Sequence, residues 1–445
     1  MRKLKSKFLI GLYACSGFGI NLMNLVMGSY LCSALLIGGF GTENALLNQT
    51  YLQKDLVIAA LWGAFILVAK ILDGIIDIPM AAFTDRLRSR FGRRRPSLVI
   101  GLVPLLLSYV LFLAIPDKSG ASLLNTVYYG VILCVFYTFY TLTMTTYYAT
   151  YTEIVETERE RRLLSNIKAV CDIFYFVIGY VVIRAMLNGN NIRSVALIVL
   201  PIALTMIIPL FLIKEPSNLD SERVTYKTVG MVKSLKYTFK NKSFVLWMCV
   251  HALMQLGVQL FLGGINEYFS SVGMSMMFVM MSTFAPVPFA FILYNRLVRK
   301  KGFGFGIRYS FVVFSIGMFS LFGVSFIPNP TIKMVLAIVA GVICSLAVGA
   351  IFASSYSVPS QLAAEEESAN GVSNSAMYFA IQGLFDGVAA GIATGVILTA
   401  LKQGSVDVKP GAIIYLTLIA GAATLGAALL SAILPKSVTN MGKEE

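Results

Sequence analysis

Lys70, Asp73 and Asp77 lie three and four residues apart inside a long apolar run, so on a helix they share one stripe. A charged group in hydrocarbon costs about 3 kcal/mol on insertion scales and is tolerated where it faces a cavity or a partner. Beside one lysine, two carboxylates leave one net negative charge. That charge can be met by Na⁺ held on carboxylate oxygens, or by a proton that repulsion and desolvation keep on one of the acids. The alternative is an internal salt bridge that only holds this helix against its neighbours. On the first two readings Asp73 and Asp77 are the cation ligands, and metal ligands if the ion is Na⁺. Lys70 stands beside them as a candidate substrate contact.

Other polar groups recur at helical spacing in apolar surroundings. Tyr137, Tyr140, Thr141, Thr145, Tyr147 and Tyr148 form one stretch rich in rings and hydroxyls. Such a wall suits a sugar, whose C–H faces stack on rings while its hydroxyls exchange hydrogen bonds. It equally suits helix packing and an interfacial aromatic belt. Asn21 with Asn24, Gln255 with Gln259, and Tyr378 with Gln382 and Asp386 either face a cavity or act as hydrogen-bonding glue between helices. Asp172 and Arg184 sit about 18 Å apart along a helix, so each needs a partner on another helix or snorkels. His251 is the only histidine, which excludes multi-histidine metal centres; its apolar flanks suit a satisfied interior imidazole better than a proton relay. The cysteines show no paired spacing of a disulfide framework or zinc site.

The elements that must position these groups follow from composition. Of 445 residues 57% are apolar and 13% charged, with a mean hydropathy of +0.77; soluble proteins average about 45–50% apolar and about 25% charged. A secreted domain, a soluble enzyme and a nucleic-acid module are excluded as the main body, and the expected class is all-α and polytopic. At about 20 apolar residues per span, twelve transmembrane helices fit, near 8–37, 56–83, 97–116, 123–150, 163–187, 194–213, 244–264, 274–294, 306–327, 332–356, 373–401 and 412–434. An even number puts both ends on one side. Loops on that side hold 28 Lys and Arg against 6 on the other, so the positive-inside rule places both termini in the cytoplasm. The formal charge of +14 is then a matter of topology, without nucleic acid.

The polar stretch 214–243 separates two six-helix bundles, 1–213 and 244–434, and a cytoplasmic tail covers 435–445. Asp85-Arg86-Leu87 with Gly92 matches Asn295-Arg296-Leu297 with Gly302 at an offset near 210, and Ser165-Asn166 matches Ser373-Asn374. Two parallel six-span repeats are the plan of a major-facilitator transporter, whose substrate site lies near the midplane between the halves.

The run from Lys70 to Pro96, with Asp73, Asp77, Pro79, Asp85, Arg86, Gly92 and Arg93-Arg94-Arg95 in order, resembles the glycoside-pentoside-hexuronide:cation symporter family, to which the melibiose carrier belongs. The block Glu153 to Lys168, with Glu160-Arg161-Arg162-Leu163-Leu164-Ser165, is similar to that family's loop between spans four and five. The resemblance implies a cation site at Asp73 and Asp77 and a sugar-stacking ring at Tyr148. It also implies a gating motif at Asp85, Arg86, Arg93 and Arg94, where the alternative is a purely topogenic positive loop. Four positions depart from the family pattern. Asn21 and Met144 stand where it has aspartates, Lys168 where it has arginine, and Gln382 where it has lysine.

The expected function is secondary active symport of a sugar or glycoside with Na⁺ or H⁺ across the inner membrane by alternating access. The alternatives are an anionic substrate such as a hexuronide, drawn by Lys70, Lys168 and Arg184, or a lysolipid-like one. Substrate contacts are expected from Asn21, Lys70, Tyr148, Lys168, Gln255, Tyr378 and Gln382. No Walker loop supports ATP-driven transport, and one histidine is too few for the usual membrane-enzyme centres. The coupling ion replaces any cofactor; the partners are a small-molecule substrate and membrane lipid, with the chain acting as a monomer.

Overall fold

The structure, a computed structural model, describes residues 4, 6–36, 51, 54–155, 158–187, 190–217, 219, 239–370, 375–405 and 411–440. Regular structure among them is helical throughout. In chain order the long helices are α1 (Lys7–Leu35), α2 (Ala59–Arg86), α3 (Arg94–Phe112) and α4 (Leu123–Ile154). Next come α5 (Glu158–Val177, continued by a π-helical turn Ile178–Val182 and Ile183–Met186) and α6 (Ile192–Leu212). After the polar stretch follow α7 (Lys242–Val272), α8 (Met276–Lys301), α9 (Phe303–Val324) and α10 (Pro330–Asn370). The last two are α11 (Ser375–Gly391, the π-helical Ile392–Leu398 and Thr399–Gln403) and α12 (Ala412–Ile433).

Among the described residues eleven helices are long and apolar enough to cross a membrane. The remaining long helix, α5, occupies the expected fifth span. It carries Lys168, Asp172 and Arg184 along its length. Two expected loops prove helical. α4 runs to Ile154 and α5 starts at Glu158, and α10 reaches Asn370, absorbing most of 357–372. The first extension is rich in Glu and Arg and the second in Ala and Glu, good helix formers, and the second runs on through Pro359, so the helix outlasts the apolar stretch.

The chain divides into two compact units, Met1–Ile37 with Glu43–Thr225, and Tyr226–Glu445 with Gly38–Thr42. Much of the polar stretch in which the chain passes from one to the other, residues 218 and 220–238, lies outside the described residues, as do 1–3 and 441–445. In the first unit α4 packs on α2 and α3, and α1 on α5 and α6. Small residues permit the closest approaches: a Cβ on Gly19 would meet the Ile202 carbonyl oxygen at 2.0 Å, the kind of contact that holds helices together where lipid offers no hydrophobic drive. Free Cys15 and Cys171 sulfurs lie 3.4 Å apart on α1 and α5, a pairing that sequence spacing did not suggest. In the second unit α9 packs on α10 and α12, and α7 on α11 and α12. Apolar side chains such as Val103, Leu107 and Phe289 are exposed, the surface a lipid-solvated bundle requires.

Candidate functional site

The α2 stripe is met by α4. Thr141 donates its hydroxyl to Asp73 Oδ1 at 2.7 Å. Lys70 Nζ lies 4.0 Å from the centroid of the Tyr137 ring, a cation–π contact. Asp73 is within electrostatic reach of both Lys70 and Asp77, yet Lys70 closes no ion pair among the described residues. Its nearest partner is a ring, not the carboxylate that an internal salt bridge would use. Asp77, one turn on, is partly exposed and makes no hydrogen bond among the described residues. The stripe therefore offers carboxylate oxygens with acceptor capacity to spare.

A second cluster joins α1, α4 and α5. Asp172 Oδ1 pairs with the Lys168 ammonium one turn earlier on the same helix and accepts Asn21 Nδ2 from α1 at 3.3 Å. Asn21 Oδ1 in turn accepts the Tyr140 hydroxyl at 3.3 Å. Lys168 Nζ stands 5.6 Å from the Tyr148 ring centroid. The expectation that Asp172 needs a partner on another helix is thus half the answer, because the i, i+4 lysine supplies the charge and Asn21 only a hydrogen bond. Tyr148 is 45% exposed, and the Asp172 side chain 39%. Behind them Tyr147 is fixed: its ring stacks on Tyr13 at 5.1 Å, its hydroxyl reaches the Tyr13 carbonyl at 2.9 Å, and Tyr13 returns a bond of 2.9 Å to the Tyr147 carbonyl. Met144, at the position of a family aspartate, is buried.

At the α2–α3 corner Gly92 has φ +79°, a left-handed conformation that favours glycine. The Arg94 amide then donates to Glu215 Oε2 at 2.7 Å, so a carboxylate from beyond α6 covers the positive end of α3. Arg94 is buried and Arg93 half-buried. Asp85 and Arg86 fall in the last turn of α2, their side chains outside the described residues. A hydroxyl cluster not singled out from sequence ties this corner together, with Ser97 2.9 Å from Thr146 and 3.1 Å from Thr84.

In the second unit Tyr378 is buried against Phe244 at 4.4 Å, its hydroxyl accepting Asn241 Nδ2 at 2.9 Å. Gln382 is also buried, while Gln255 is partly exposed on α7. His251, wholly buried, lies with Nδ1 2.7 Å from Asp386 Oδ1. Glu267 and Lys402 form a buried ion pair at 2.6 Å. Lys402, one residue past the expected span 373–401, is an interior partner, and no local spacing could have shown it.

Residues 12–434 match the MFS/sugar transport protein family. The chain belongs to that family. Shorter stretches resemble known symporters. The chain is 34% identical over 125 residues to the uncharacterized symporter sll1374 of Synechocystis sp., 27% of this chain and 22% of that one. It is 35% identical over 79 residues to the inner membrane symporter YicJ of Escherichia coli (strain K12), 17% of each. These matches span about a fifth of the relatives' lengths. In fold the chain is similar to a mutant form of the nucleoside transporter NupG, with a TM-score of 0.66 at 12% identity over 97% of this chain and 100% of that one. It is likewise similar to a D-xylose-proton symporter, with a TM-score of 0.62 at 16% identity over 98% and 99%. The protein is a multi-pass membrane transporter of the major facilitator fold, and its family and neighbours are transporters rather than enzymes.

Proposed function

We propose that this transporter carries an uncharged sugar or glycoside together with Na⁺ or H⁺ across the inner membrane, with both termini in the cytoplasm. The observation that carries the reading is the connected cluster Tyr140–Asn21–Asp172–Lys168–Tyr148. A half-exposed ring offers a stacking face. Beside it a half-exposed carboxylate accepts sugar hydroxyls, and an ammonium and an amide donate to them, so donors and acceptors stand together as a polyol needs. Because Asp172 already neutralises Lys168, the cluster has no surplus positive charge, which favours a neutral sugar over a hexuronide. In the second unit Gln255 is partly exposed, whereas Tyr378 and Gln382 are buried.

Coupling falls to Asp73 and Asp77, whose oxygens take the ion, with the Thr141 hydroxyl orienting Asp73. The symporter names of the relatives agree with this. Proteoliposomes tested with a panel of labelled glycosides should accumulate at least one of them when a Na⁺ or a proton gradient is imposed. Asp73→Asn and Asp77→Asn should lower that accumulation at least about tenfold, the loss of one charged contact, while leaving exchange down the sugar's own gradient. Absence of uptake for every glycoside would reject the sugar, and uptake indifferent to both gradients would reject coupling.

A further inference from the structure

We infer that Tyr137 is a positioning residue of the coupling site: its ring holds the Lys70 ammonium away from Asp73 and Asp77, so that the carboxylates keep the net negative charge with which a cation is bound. On the coupling reading above, this makes Tyr137 the residue that sets cation affinity. Lys70 Nζ stands 4.0 Å from the centroid of the Tyr137 ring. One turn further along α4, Thr141 donates to Asp73 Oδ1 at 2.7 Å. α2 and α4 thus meet in register, with the ring opposite the lysine and the hydroxyl opposite the carboxylate. Asp73 Oδ2 and both oxygens of Asp77 have no hydrogen bond or ion pair among the described residues. Carboxylate oxygens with open lone pairs fit Na⁺ or a proton.

A second lysine in the same unit shows that helix spacing does not force the choice. Lys168 precedes Asp172 by four residues and pairs with it, leaving the Tyr148 ring at 5.6 Å. Lys70 precedes Asp73 by three, also a neighbouring position on a helix. It nevertheless closes no ion pair among the described residues and lies on a ring instead. The two rings differ in the matching sense. Tyr148 is 45% exposed and Tyr137 2%, and the Tyr137 hydroxyl is close to α1, where a Cβ on Gly28 would come within 3.6 Å of it. A ring wedged between helices is held in place, and out of water its face attracts an ammonium more strongly than an exposed face does. An ammonium within a span needs a partner, and Tyr137 supplies one that cancels no carboxylate charge. Were Lys70 to close onto Asp73, one of the two carboxylates would be neutralised within α2, and the cation would compete with a tethered ammonium.

The full chain in lipid nanodiscs, in Na⁺-free buffer without sugar, reports where the ammonium is held. A membrane-permeant carbodiimide activates a carboxyl group, and an amine touching that group displaces the activating group. One amide bond forms, the carboxyl oxygen leaves with the carbodiimide as a urea, and mass spectrometry finds a peptide lighter by one water. Lys168 and Asp172 should join in this way. Lys70 and Asp73 should reach about a tenth of that yield, a ratio within the range of a desolvated cation–π contact. Tyr137→Leu should raise the Lys70–Asp73 yield about tenfold, whereas Tyr137→Phe, which keeps the ring, should leave it low. A parent Lys70–Asp73 yield equal to that of Lys168–Asp172 would overturn the assignment, as would no rise in Tyr137→Leu. Should that variant not fold, the parent's two yields decide alone.

Cation binding gives a second measure, read by calorimetry with NaCl at constant pH and with protons in Na⁺-free buffer. In Tyr137→Leu the affinity for whichever cation binds should fall about tenfold. Lys70→Met added to Tyr137→Leu should return it to the parent value or above. An equal loss with Lys70→Met in place would make Tyr137 a packing residue and overturn its role. A parent that binds neither cation would reject the coupling reading, and the two amide yields would still decide where Lys70 is held.

Discussion

α5 in the first unit and α11 in the second are built alike and charged differently. Each carries an aspartate six residues ahead of its π-helical turn, Asp172 before Ile178 and Asp386 before Ile392. Each aspartate reaches the first helix of its own unit, at Asn21 in one and His251 in the other; Asn21 itself lies six residues ahead of the π-helical Met27–Leu31. One turn before the aspartate the two helices part company, with Lys168 in α5 and Gln382 in α11. The same backbone thus holds a carboxylate that meets a lysine of its own helix in one unit and an imidazole of the first helix in the other. A permanent ion pair with open edges suits a fixed polar contact for a neutral substrate. π-turns recur at functional positions in helices, and here each sits next to the polar bridge that distinguishes its unit.

The sharpest break in the likeness is the buried Glu267–Lys402 pair. The corresponding places in the first unit, by the same offsets, are Ile37 and Asn188, which lie outside the described residues. Lys402→Met should cost about 3–5 kcal/mol, the usual result of leaving a buried charge without its partner. Glu267→Gln in the same chain should recover most of that loss, read as thermal unfolding of the detergent-solubilised protein. A single variant as stable as the parent would show that Glu267 is not held as a buried charge.

The next contrast concerns Lys168, whose removal should be felt less because Asp172 is partly open to solvent. Lys168→Met should cost about 2 kcal/mol, below the fully buried case, and should lower sugar uptake. Lys168→Arg should keep more activity than Lys168→Met, and Asp172→Asn added to Lys168→Met should restore stability but not uptake. Equal uptake by the Arg and Met variants would take the charge of Lys168 out of the site.

How far the sequence alone reached differs between these levels. Hydropathy fixes spans because each must match the bilayer, so all twelve were legible as apolar runs. α5 was legible because the apolar pattern persists between its charges. The corner glycines Gly92 and Gly302 were legible as an internal match, and both take positive φ. The Lys168–Asp172 spacing was equally present in the sequence, but a cavity role assigned to one and an interhelical role to the other concealed that they face each other. His251–Asp386 and Glu267–Lys402 each join residues 135 apart. Such pairs depend on the register between two helices, which periodicity within either helix does not encode.

Tyr148 separates ring contact from charge in the first unit. Its exposed ring lies beside Lys168 but carries no part of the Asp172 charge balance. Tyr148→Ala should weaken sugar binding by about 1–2 kcal/mol through lost ring contact, while Tyr148→Phe should retain most of the affinity. Binding measured by calorimetry on the solubilised transporter distinguishes the outcomes, and an unchanged affinity in the Ala variant would assign Tyr148 to packing.

The smallest effect is expected at the matched corners. Gly92 and Gly302 have φ +79° and +86°, and each abuts the segment that follows the sixth helix of its unit. A Cβ on Gly92 would meet Glu215 Cβ at 2.3 Å, and one on Gly302 the Thr439 carbonyl oxygen at 2.6 Å. The first unit covers its corner with a side-chain carboxylate that accepts the Arg94 amide, the second with main chain. Glu215→Gln keeps an acceptor but removes the negative charge facing the start of α3, so it should cost about 0.5 kcal/mol; Glu215→Ala loses the hydrogen bond as well and should cost about 1 kcal/mol. Thr439→Ala leaves the carbonyl in place and should be near neutral, so thermal unfolding of the three variants ranks side-chain against main-chain coverage. If Thr439→Ala proved as costly as Glu215→Ala, the second corner would depend on its side chain too, and the two corners would be alike in chemistry as well as in backbone.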